Sequence, residues 1–219
     1  MPQILERFAR FSGECDFELI LVDNGSTDDS QRVLAQLLPS YPFARCVQII
    51  DNRGYGDGVY TGLRAARGTV LAWSHADMQT DPKDVFRALE VFENDGDSRS
   101  LIVKGRRHGR RLSERFISRG MELVAVMLLR RWIPEINAQP KVFHRDLLER
   151  VTSPPRDFNF DVYVLYRAIR KGWRIREIDV VFPPREYGQS NWSATWKSKI
   201  RTICQSMAFM CRLGIRTHA

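Results

Sequence analysis

The stretch "WSHADMQTDP", residues 73–82, follows an apolar run and carries three side chains that could bind a divalent cation. They are the imidazole of His75, the carboxylate of Asp77 and the amide of Gln79. Oxygen ligands suit Mg²⁺, whereas imidazole suits a softer ion such as Mn²⁺. A lone carboxylate after a strand is more often a helix cap, so this stretch by itself leaves a metal site and a polar turn both open.

Polar side chains also end two other apolar runs. "FELILV", 17–22, runs into Asp23 and Asn24, and "CVQIID", 46–51, runs into Asn52 and Arg53. In an open parallel α/β sheet, ligands bind beyond the carboxyl ends of the strands, where such loops meet. The convergence of three polar loops therefore favours a binding site over three unrelated helix caps.

The surrounding pattern predicts the elements that would position these loops. Apolar strand patterns at 17–22, 46–51 and 69–77 are each followed by a polar loop and a helical pattern, and a fourth strand pattern spans 100–105. This alternation is typical of an α/β fold with a mostly parallel sheet flanked by helices. Further on, the periodicity predicts a helix over 113–132, a strand and helix within 140–151, a helix over 161–173, a strand within 174–185 and an amphipathic helix over 192–213.

Composition narrows the class of partner. The 219 residues carry a net charge of +8, much of it in "KGRRHGRR", 104–111, so a polyanion is expected: nucleic acid, an anionic lipid surface or a phosphorylated substrate. The four cysteines lack metal-site spacing and predict reduced thiols in the cytoplasm. The start of the chain is not typical of a secretion signal, and "LVAVMLL" is too short to span a bilayer. These features predict a soluble or peripheral cytoplasmic protein.

Taken in order, six stretches resemble the motifs of family 2 glycosyltransferases, especially the polyprenyl-phosphate (dolichol-phosphate mannose synthase-like) branch. They are "LILVDNGSTDDS", "NRGYGDGVYTGLRAARG", "HADMQTDP", "INAQPKVFHRDLL", "FNFDVYVLYRAIRKGWRI" and "REYGQSNW". The resemblance extends from about Phe17 to Trp192. It implies a glycosyltransferase A-type, Rossmann-like fold in a single domain, with a nucleotide-sugar half (1–105), an acceptor-side half (106–191) and the C-terminal helix (192–213).

The implied activity is the inverting transfer of a sugar from a UDP- or GDP-sugar to an acceptor, either a polyprenyl phosphate or a glycan. Asp23 matches the family's nucleobase contact, and Asn24, Asn52 and Arg53 lie in the same nucleotide-binding loops. In the family's D-x-D-x-Q metal motif, Asp77 and Gln79 match the second Asp and the Gln.

His75 replaces the first Asp of that metal motif. The resemblance implies a divalent cation, Mn²⁺ or Mg²⁺, that bridges the donor diphosphate. His75 would then ligate Mn²⁺, contact the diphosphate as imidazolium, or only fill space, and these alternatives stay open.

Other matches fall on groups that would contact phosphates or the acceptor. Arg106 follows a strand and a glycine as the family's phosphate-binding arginine does, and Arg107, Arg110 and Arg111 are expected to be solvated. Arg115 with Ser118 matches the family's R-x-x-S, and Arg185 with Ser190 matches its R-x-x-G-x-S loop.

Asp161 occupies the position of an acceptor-side acidic residue. A phosphate acceptor is already an anionic nucleophile and needs no base, whereas a hydroxyl acceptor would make Asp161 the first candidate base. A helix N-cap is the competing role for this carboxylate.

Two other readings of the whole chain stay open. A catalytically impaired relative would bind nucleotide sugars without turnover, and His75 is the evidence for it. A basic nucleic-acid-binding protein is less favoured, because the chain has no aromatic-basic interleaved surface or recognisable nucleic-acid-binding motif.

The C-terminal segment combines a Trp and Met stripe with Lys197, Lys199, Arg201 and Arg212, which predicts either peripheral membrane contact or packing on the core. Oligomerisation is compatible with both.

The resemblance also predicts a strand that this chain does not show. Family members begin with a strand bearing a "P-x-Y-N-E"-like motif, inside the sheet between the strands that correspond to "FELILV" and "VLAWSH". "PQILERFARF" corresponds to the helix after that strand, so the fold is expected to be N-terminally truncated. Neighbouring strands would then close up, borrow a segment or leave the nucleotide pocket incomplete.

Overall fold

The computed structural model describes residues 2–109, 112–183 and 196–216, and the side chains of 112–117, 196–199 and 216 are outside this description. Strands and helices alternate in the first half, and helices dominate the second. The strands are β1 (Leu19–Asn24), β2 (Ala44–Ile49), β3 (Val70–Trp73), β4 (Leu101–His108), β5 (Lys141–His144) and β6 (Arg174–Val181). The helices are α1 (Pro2–Ala9), α2 (Ser30–Leu37), α3 (Tyr55–Ala65), α4 (Pro82–Glu93), α5 (Leu112–Leu129), α6 (Asp146–Glu149), α7 (Asn159–Arg170) and α8 (Trp196–Arg216).

The described strands form two sheets. β1 and β2 pair in parallel, and the other four follow the order β3-β5-β4-β6. β5 is antiparallel to β3 and to β4, whereas β4 and β6 are parallel. The predicted α/β class is confirmed, with β5 as an antiparallel strand that the simple alternation does not reveal. Within the described ranges β1 and β3 do not pair.

Apolar side chains cover both faces of the larger sheet. The main cluster joins α5, α7 and α8 to one face through Trp73, Phe143 and Phe160, all with at most 7% exposure. A second cluster packs Ala88 and Phe92 of α4 against the other face. Helices on both faces are the arrangement that buried strands require.

The predicted helix and strand boundaries are corrected in the region of the polar loops. α3 begins at Tyr55, four residues before the predicted Val59, because Gly54 makes the turn with φ +117°. β3 ends at Trp73, so His75 and Asp77 lie in the loop and not in a strand that continues to residue 77. α4 begins as expected, with Pro82 at its first position and the Asp81 carboxylate accepting a hydrogen bond from the Lys83 amide at 3.0 Å.

The predicted amphipathic C-terminal helix is confirmed as α8, and its inner face packs on the core. Met210 and Leu213 are 1% and 9% exposed and join the main cluster. Within the described part of the chain, no helix combines the length and apolar character that crossing a bilayer requires.

Candidate active site

The loops after β1 and β2 form one connected edge. The Asn24 side-chain amide donates to the Gly54 carbonyl at 3.0 Å, and the Asn52 carboxamide oxygen accepts from the Gly54 amide at 3.0 Å. Gly25 has φ +71°, and a Cβ there would lie 2.6 Å from the backbone nitrogen of Asn52. A glycine is therefore required for this close approach of the two loops. The geometry brings Asn24 and Asn52 together as the sequence predicted for a shared site.

Asp23 is held as a charged group at the end of β1. It is 5% exposed, and Oδ1 accepts a hydrogen bond from the Ser26 amide at 2.9 Å. Hydrogen bonds from Ser26 lower the pKa of this carboxyl group. A carboxylate has further acceptor capacity, so Asp23 can receive an N–H of a ligand. Arg53 follows Asn52 in the loop after β2 and is half exposed, with its Nε 3.3 Å from Oδ2 of Asp57.

The loop after β3 carries the predicted metal ligands. Oδ1 of Asp77 accepts from the Gln79 amide at 3.1 Å, and Met78 between them has φ +64°. The Gln79 side chain also donates to the Pro183 carbonyl at 3.4 Å. Among the described residues, no three His, Cys, Asp or Glu side chains form a metal-binding group. The oxygen and nitrogen atoms of His75, Asp77 and Gln79 are of the types that Mg²⁺ and Mn²⁺ accept, and their role as metal ligands stays a prediction.

His75 lies in a confined environment beside Tyr55, with 6.2 Å between the ring centroids. Burial lowers the pKa of His75, and the negative charges of Asp77 and Asp161 oppose that effect. The neutral form of the imidazole has a nitrogen lone pair, and this is the form that binds a metal ion. A neutral ring is compatible with the ligand role and with the space-filling role, and the role of His75 stays a prediction.

One row of side chains runs across the larger sheet below this loop. Trp73, Lys141, Lys104 and Glu177 are successive register partners on β3, β5, β4 and β6. Both lysine side chains are 0% exposed. Nζ of Lys104 donates to Oε1 of Glu177 at 2.7 Å, and Nζ of Lys141 lies 5.1 Å from the Trp73 ring centroid. Burial lowers the pKa of Lys141 to about 8, although its pairing with Asp161 counteracts the shift.

Asp161 is the buried partner of Lys141 and lies in the first turn of α7. Its Oδ1 accepts hydrogen bonds from Nζ of Lys141 and from Nε2 of Gln139, the latter at 3.1 Å. Nε2 of Gln139 also donates to the Tyr55 hydroxyl at 3.0 Å. The N-cap role proposed for Asp161 is wrong, because Oδ1 of Asp157 accepts the Asn159 amide at 2.9 Å at the helix start. Asp161 instead connects β5, α3 and α7.

The arginines after β4 take two different positions. Arg106 is half exposed and lies 2.7 Å from Oδ1 of Asp179, which also contacts Nε2 of His108 at 2.8 Å. Arg106 and His108 lower the pKa of Asp179 to about 2. The expectation that Arg107 is solvated is wrong. Its side chain is 10% exposed, and Nε lies 2.6 Å from Oε2 of Glu135.

The other predicted site residues lie in α5 or outside the described ranges. Ser118 lies half-buried in α5, and Arg115 is in the same helix with its side chain outside the description. Arg110, Arg111, Arg185 and Ser190 lie outside the described residues. The roles of these residues stay predictions.

The sequence did not single out the buried lysines, Gln139 or Tyr55. A signal was present in "LIVKG" and "PKVF", where a lysine interrupts an apolar strand pattern. Lysine is almost never fully buried unless it is paired, so each such lysine predicts a buried carboxylate partner.

Comparison with known proteins decides the family. The model of glycosyl transferase family 2 matches residues 2–152. The chain belongs to this family. The undecaprenyl-phosphate 4-deoxy-4-formamido-L-arabinose transferase of Proteus mirabilis is 26% identical over 200 residues, which are 88% of this chain and 59% of that protein. An uncharacterized glycosyltransferase of Mycobacterium tuberculosis is 28% identical over 190 residues, covering 85% of this chain and 83% of that one.

The chain spans about 59% of the length of the Proteus relative. The polyprenyl phosphate in that relative's name agrees with the resemblance to the polyprenyl-phosphate branch. A solved structure confirms the fold. Glucosyl-3-phosphoglycerate synthase from Mycobacterium tuberculosis, in complex with Mn²⁺, UDP-glucose and phosphoglyceric acid, superposes with a TM-score of 0.69 at 18% identity. The match covers 95% of this chain and 74% of the synthase. The glycosyltransferase A-type α/β fold expected from the sequence is confirmed.

Proposed function

We propose that this family 2 glycosyltransferase transfers a sugar, with inversion, from a UDP- or GDP-sugar to an acceptor that bears a phosphate, with polyprenyl phosphate as the first candidate. The proposal assigns residues 1–105 to the donor, residues 106–191 to the acceptor and 192–213 to a C-terminal helix. It places the protein in the cytoplasm, at the inner face of the membrane when the acceptor is a lipid. Two relatives support a nucleotide-sugar donor and an acceptor that bears a phosphate: one is named an undecaprenyl-phosphate sugar transferase, and the other is solved with UDP-glucose and phosphoglyceric acid.

The observation that carries the acceptor class is the burial of Asp161 against Lys141. A hydroxyl acceptor needs a base that reaches it, whereas a phosphate oxygen is already an anionic nucleophile. Asp161 is 1% exposed and bonded to Lys141 and Gln139, so in this geometry it holds neighbouring groups in place. A glycan acceptor is the alternative, and it would require Asp161 to exchange Lys141 for the acceptor hydroxyl.

The donor would lie along the edge formed by the loops after β1, β2 and β3. Asp23 would accept an N–H of the nucleobase, and Asn24, Asn52 and Arg53 would line the nucleotide. A divalent cation held by Asp77, Gln79 and His75 would supply positive charge to the diphosphate as the glycosidic bond breaks. His75 would contribute a neutral imidazole, because burial lowers its pKa.

Basic side chains on the acceptor side would complete the phosphate contacts. Arg106 is half exposed and offers a guanidinium whose fork matches phosphate oxygens. To bind a phosphate, the Arg106 side chain would have to break its ion pair with Asp179. The low pKa of Asp179 keeps this carboxylate charged at neutral pH, so it competes with the phosphate for Arg106. Arg115, Ser118, Arg185 and Ser190 are proposed as further phosphate contacts from the family pattern.

The test compares matched acceptors in one transfer assay with Mn²⁺ and with UDP-glucose or GDP-mannose as donor. A short polyprenyl phosphate, the corresponding polyprenol and a free glycan differ in whether the nucleophile is a phosphate or a hydroxyl. We expect product only with the phosphate. Transfer to the polyprenol or the glycan at a comparable rate would contradict the acceptor class.

A second measurement separates an impaired relative from an active enzyme. If no acceptor yields product while the protein still binds UDP or GDP with Mn²⁺ in a calorimeter, the chain is a nucleotide-binding relative without turnover.

Asp161→Asn is the matched variant for the acceptor argument. With a phosphate acceptor it should reduce the rate per folded molecule by less than about tenfold, because general base catalysis typically contributes 10²–10⁴-fold where it operates. The folded fraction is measured in parallel, since the substitution leaves Lys141 without its charged partner.

A further inference from the structure

The outer face of α8 carries an apolar stripe that the core does not use. Its members recur at steps of four, three, four and four residues, which keeps them on one side of a helix. Ile200 is 57% exposed, Met207 39% and Ile215 70%, and the two cysteines of the stripe are exposed as well. The stripe consists of Ile200, Cys204, Met207, Cys211 and Ile215.

Contacts away from the stripe, at Met210 and Leu213, and along its edge, at Gly214, fix the orientation of α8. Met210 and Leu213 are buried in the main cluster beside Leu129 of α5. Gly214 lies against the Leu128 backbone, since a Cβ at this glycine would be 2.5 Å from the Leu128 carbonyl oxygen. The helix cannot rotate to bury the stripe without giving up this packing.

α5 extends the same apolar surface. Leu123 and Met127 are one helical turn apart and are 57% and 63% exposed, and Trp132, just after the helix, is 63% exposed. α5 and α8 pack on each other and on one core cluster, so the exposed side chains of α5 lie on the helix next to the stripe. These three residues and the stripe on α8 define the α5–α8 face. A cluster of large exposed apolar side chains is typical of an interaction surface.

Exposed arginines accompany the apolar residues of the α5–α8 face. The described side chains of α8, residues 200–215, include no Asp or Glu. Glu122, the acidic residue among the described side chains of α5, is 7% exposed and accepts a hydrogen bond from the Glu135 amide at 2.8 Å. The exposed basic residues on and directly after the two helices are Arg119, Arg130, Arg131, Arg201 and Arg212. The surface is therefore apolar and cationic.

We propose that the α5–α8 face docks the protein on an anionic lipid bilayer. Apolar side chains of a surface-lying helix enter the headgroup region, while arginines beside them attract anionic headgroups. A second copy is the less suitable occupant, because a two-fold contact through the same face would place arginines opposite arginines. This proposal goes beyond the transfer reaction, and it would bring the enzyme to the surface where a lipid-linked acceptor resides.

The experiment measures sedimentation with vesicles of phosphatidylcholine and of phosphatidylcholine mixed with phosphatidylglycerol, without donor, metal or polyprenyl phosphate. A reductant keeps Cys204 and Cys211 as thiols. We expect binding to the anionic vesicles that weakens as salt is added, and little binding to the neutral ones. Equal binding to both vesicle types, or no binding at low salt, would overturn the proposal. Neither result bears on sugar transfer, which is assayed separately with a water-soluble phosphate acceptor.

Two variants of the face and one control test which residues are responsible. Arg201→Gln with Arg212→Gln should weaken binding by roughly tenfold or more, since each basic residue near an anionic surface contributes several-fold. Arg32→Gln with Arg99→Gln changes the net charge equally at exposed positions on other elements and should have a much smaller effect. Equal effects of the two pairs would show attraction by net charge alone and would refute a specific face.

Met127→Asp with Met207→Asp tests insertion, because both side chains are exposed and their replacement leaves the core intact. It should abolish vesicle binding while the thermal midpoint stays unchanged. Light scattering without lipid provides the check on the other occupant. If the parent protein has twice the monomer mass and the variant has the monomer mass, the partner of this face is a second copy. That result would refute lipid docking.

Discussion

Nζ of Lys141 donates a hydrogen bond to Oδ1 of Asp161, and the two side chains are 0% and 2% exposed. The pair joins β5 to α7 across a separation of 20 residues. Through Gln139 and Tyr55 it reaches the side of the loop that carries His75. A change to this buried ion pair is therefore expected to lower the stability of the fold.

Lys141→Met should destabilise the fold, because it leaves the Asp161 charge buried without its partner. Removal of one member of a buried pair costs about 3–5 kcal/mol. The double variant Lys141→Met with Asp161→Leu should recover much of this loss, since no buried charge then remains. Urea unfolding of the two variants measures the difference. A double variant no more stable than Lys141→Met would contradict the assignment of the penalty to an unpaired carboxylate.

Asp77→Ala should lower donor turnover by roughly 100-fold or more at saturating Mn²⁺, as expected for lost stabilisation of a developing charge. The same variant should weaken Mn²⁺ binding in the presence of UDP, which titration calorimetry measures without turnover. Asp16→Ala, at an exposed position before β1, is the control and should leave both quantities unchanged. Turnover of the Asp77 variant within a few-fold of the parent would remove Asp77 from the metal site.

His75→Asp should shift the metal preference from Mn²⁺ towards Mg²⁺, because a carboxylate replaces the softer imidazole ligand. The measurement is the ratio of the rates with Mg²⁺ and with Mn²⁺ for the parent and the variant. His75→Asn serves as the comparison, since it removes the imidazole without adding a charge. An unchanged ratio in His75→Asp would mean that His75 does not ligate the ion.

Gly214→Ala and Gly120→Ala should change stability in opposite directions, although both glycines are helical. A Cβ at Gly214 would lie 2.5 Å from the carbonyl oxygen of Leu128, which is too close. Overpacking of this kind destabilises a fold by about 1–3 kcal/mol. A Cβ at Gly120 would meet nothing within 4 Å, so alanine there should stabilise α5 by roughly 0.5–1 kcal/mol through helix propensity. Chemical denaturation provides both values. Two changes of the same sign would contradict the close packing of α5 on α8.

Acid should weaken the fold partly through Asp95. Arg174 lowers the pKa of this carboxyl group to about 2, with Nη2 2.5 Å from Oδ1 and a further contact from Arg176 at 3.2 Å. Since the pKa in the folded state is lower than the ordinary aspartate value of 3.8, the stabilisation is present above pH 4 and is lost as the pH falls towards 2. Asp95→Asn should show a shallower fall of the thermal midpoint over this range. Parallel curves for variant and parent would exclude the contribution of Asp95.

The sequence alone determined the α/β class, the family resemblance and the loops that carry the candidate ligands. These features are local. Asp23 bonds to the Ser26 amide, Asp77 to the Gln79 amide and Asp81 to the Lys83 amide, all within three residues. Such short-range side-chain to backbone bonds depend on residue types at fixed offsets, so a polar cluster after an apolar run reveals them.

Only the tertiary structure decided which distant groups meet. It placed β5 antiparallel between β3 and β4, which puts Lys141 and Lys104 in one row. It also paired Asp161 with Lys141, so that this carboxylate does not cap α7. It also buried Arg107 against Glu135, where the run of basic residues suggested a solvated loop. The lysine in "PKVF" indicates that a buried partner is needed, but strand order, register and helix packing select the carboxylate. Those choices are set by the competition among long-range contacts over the whole core, which no short segment of the chain encodes.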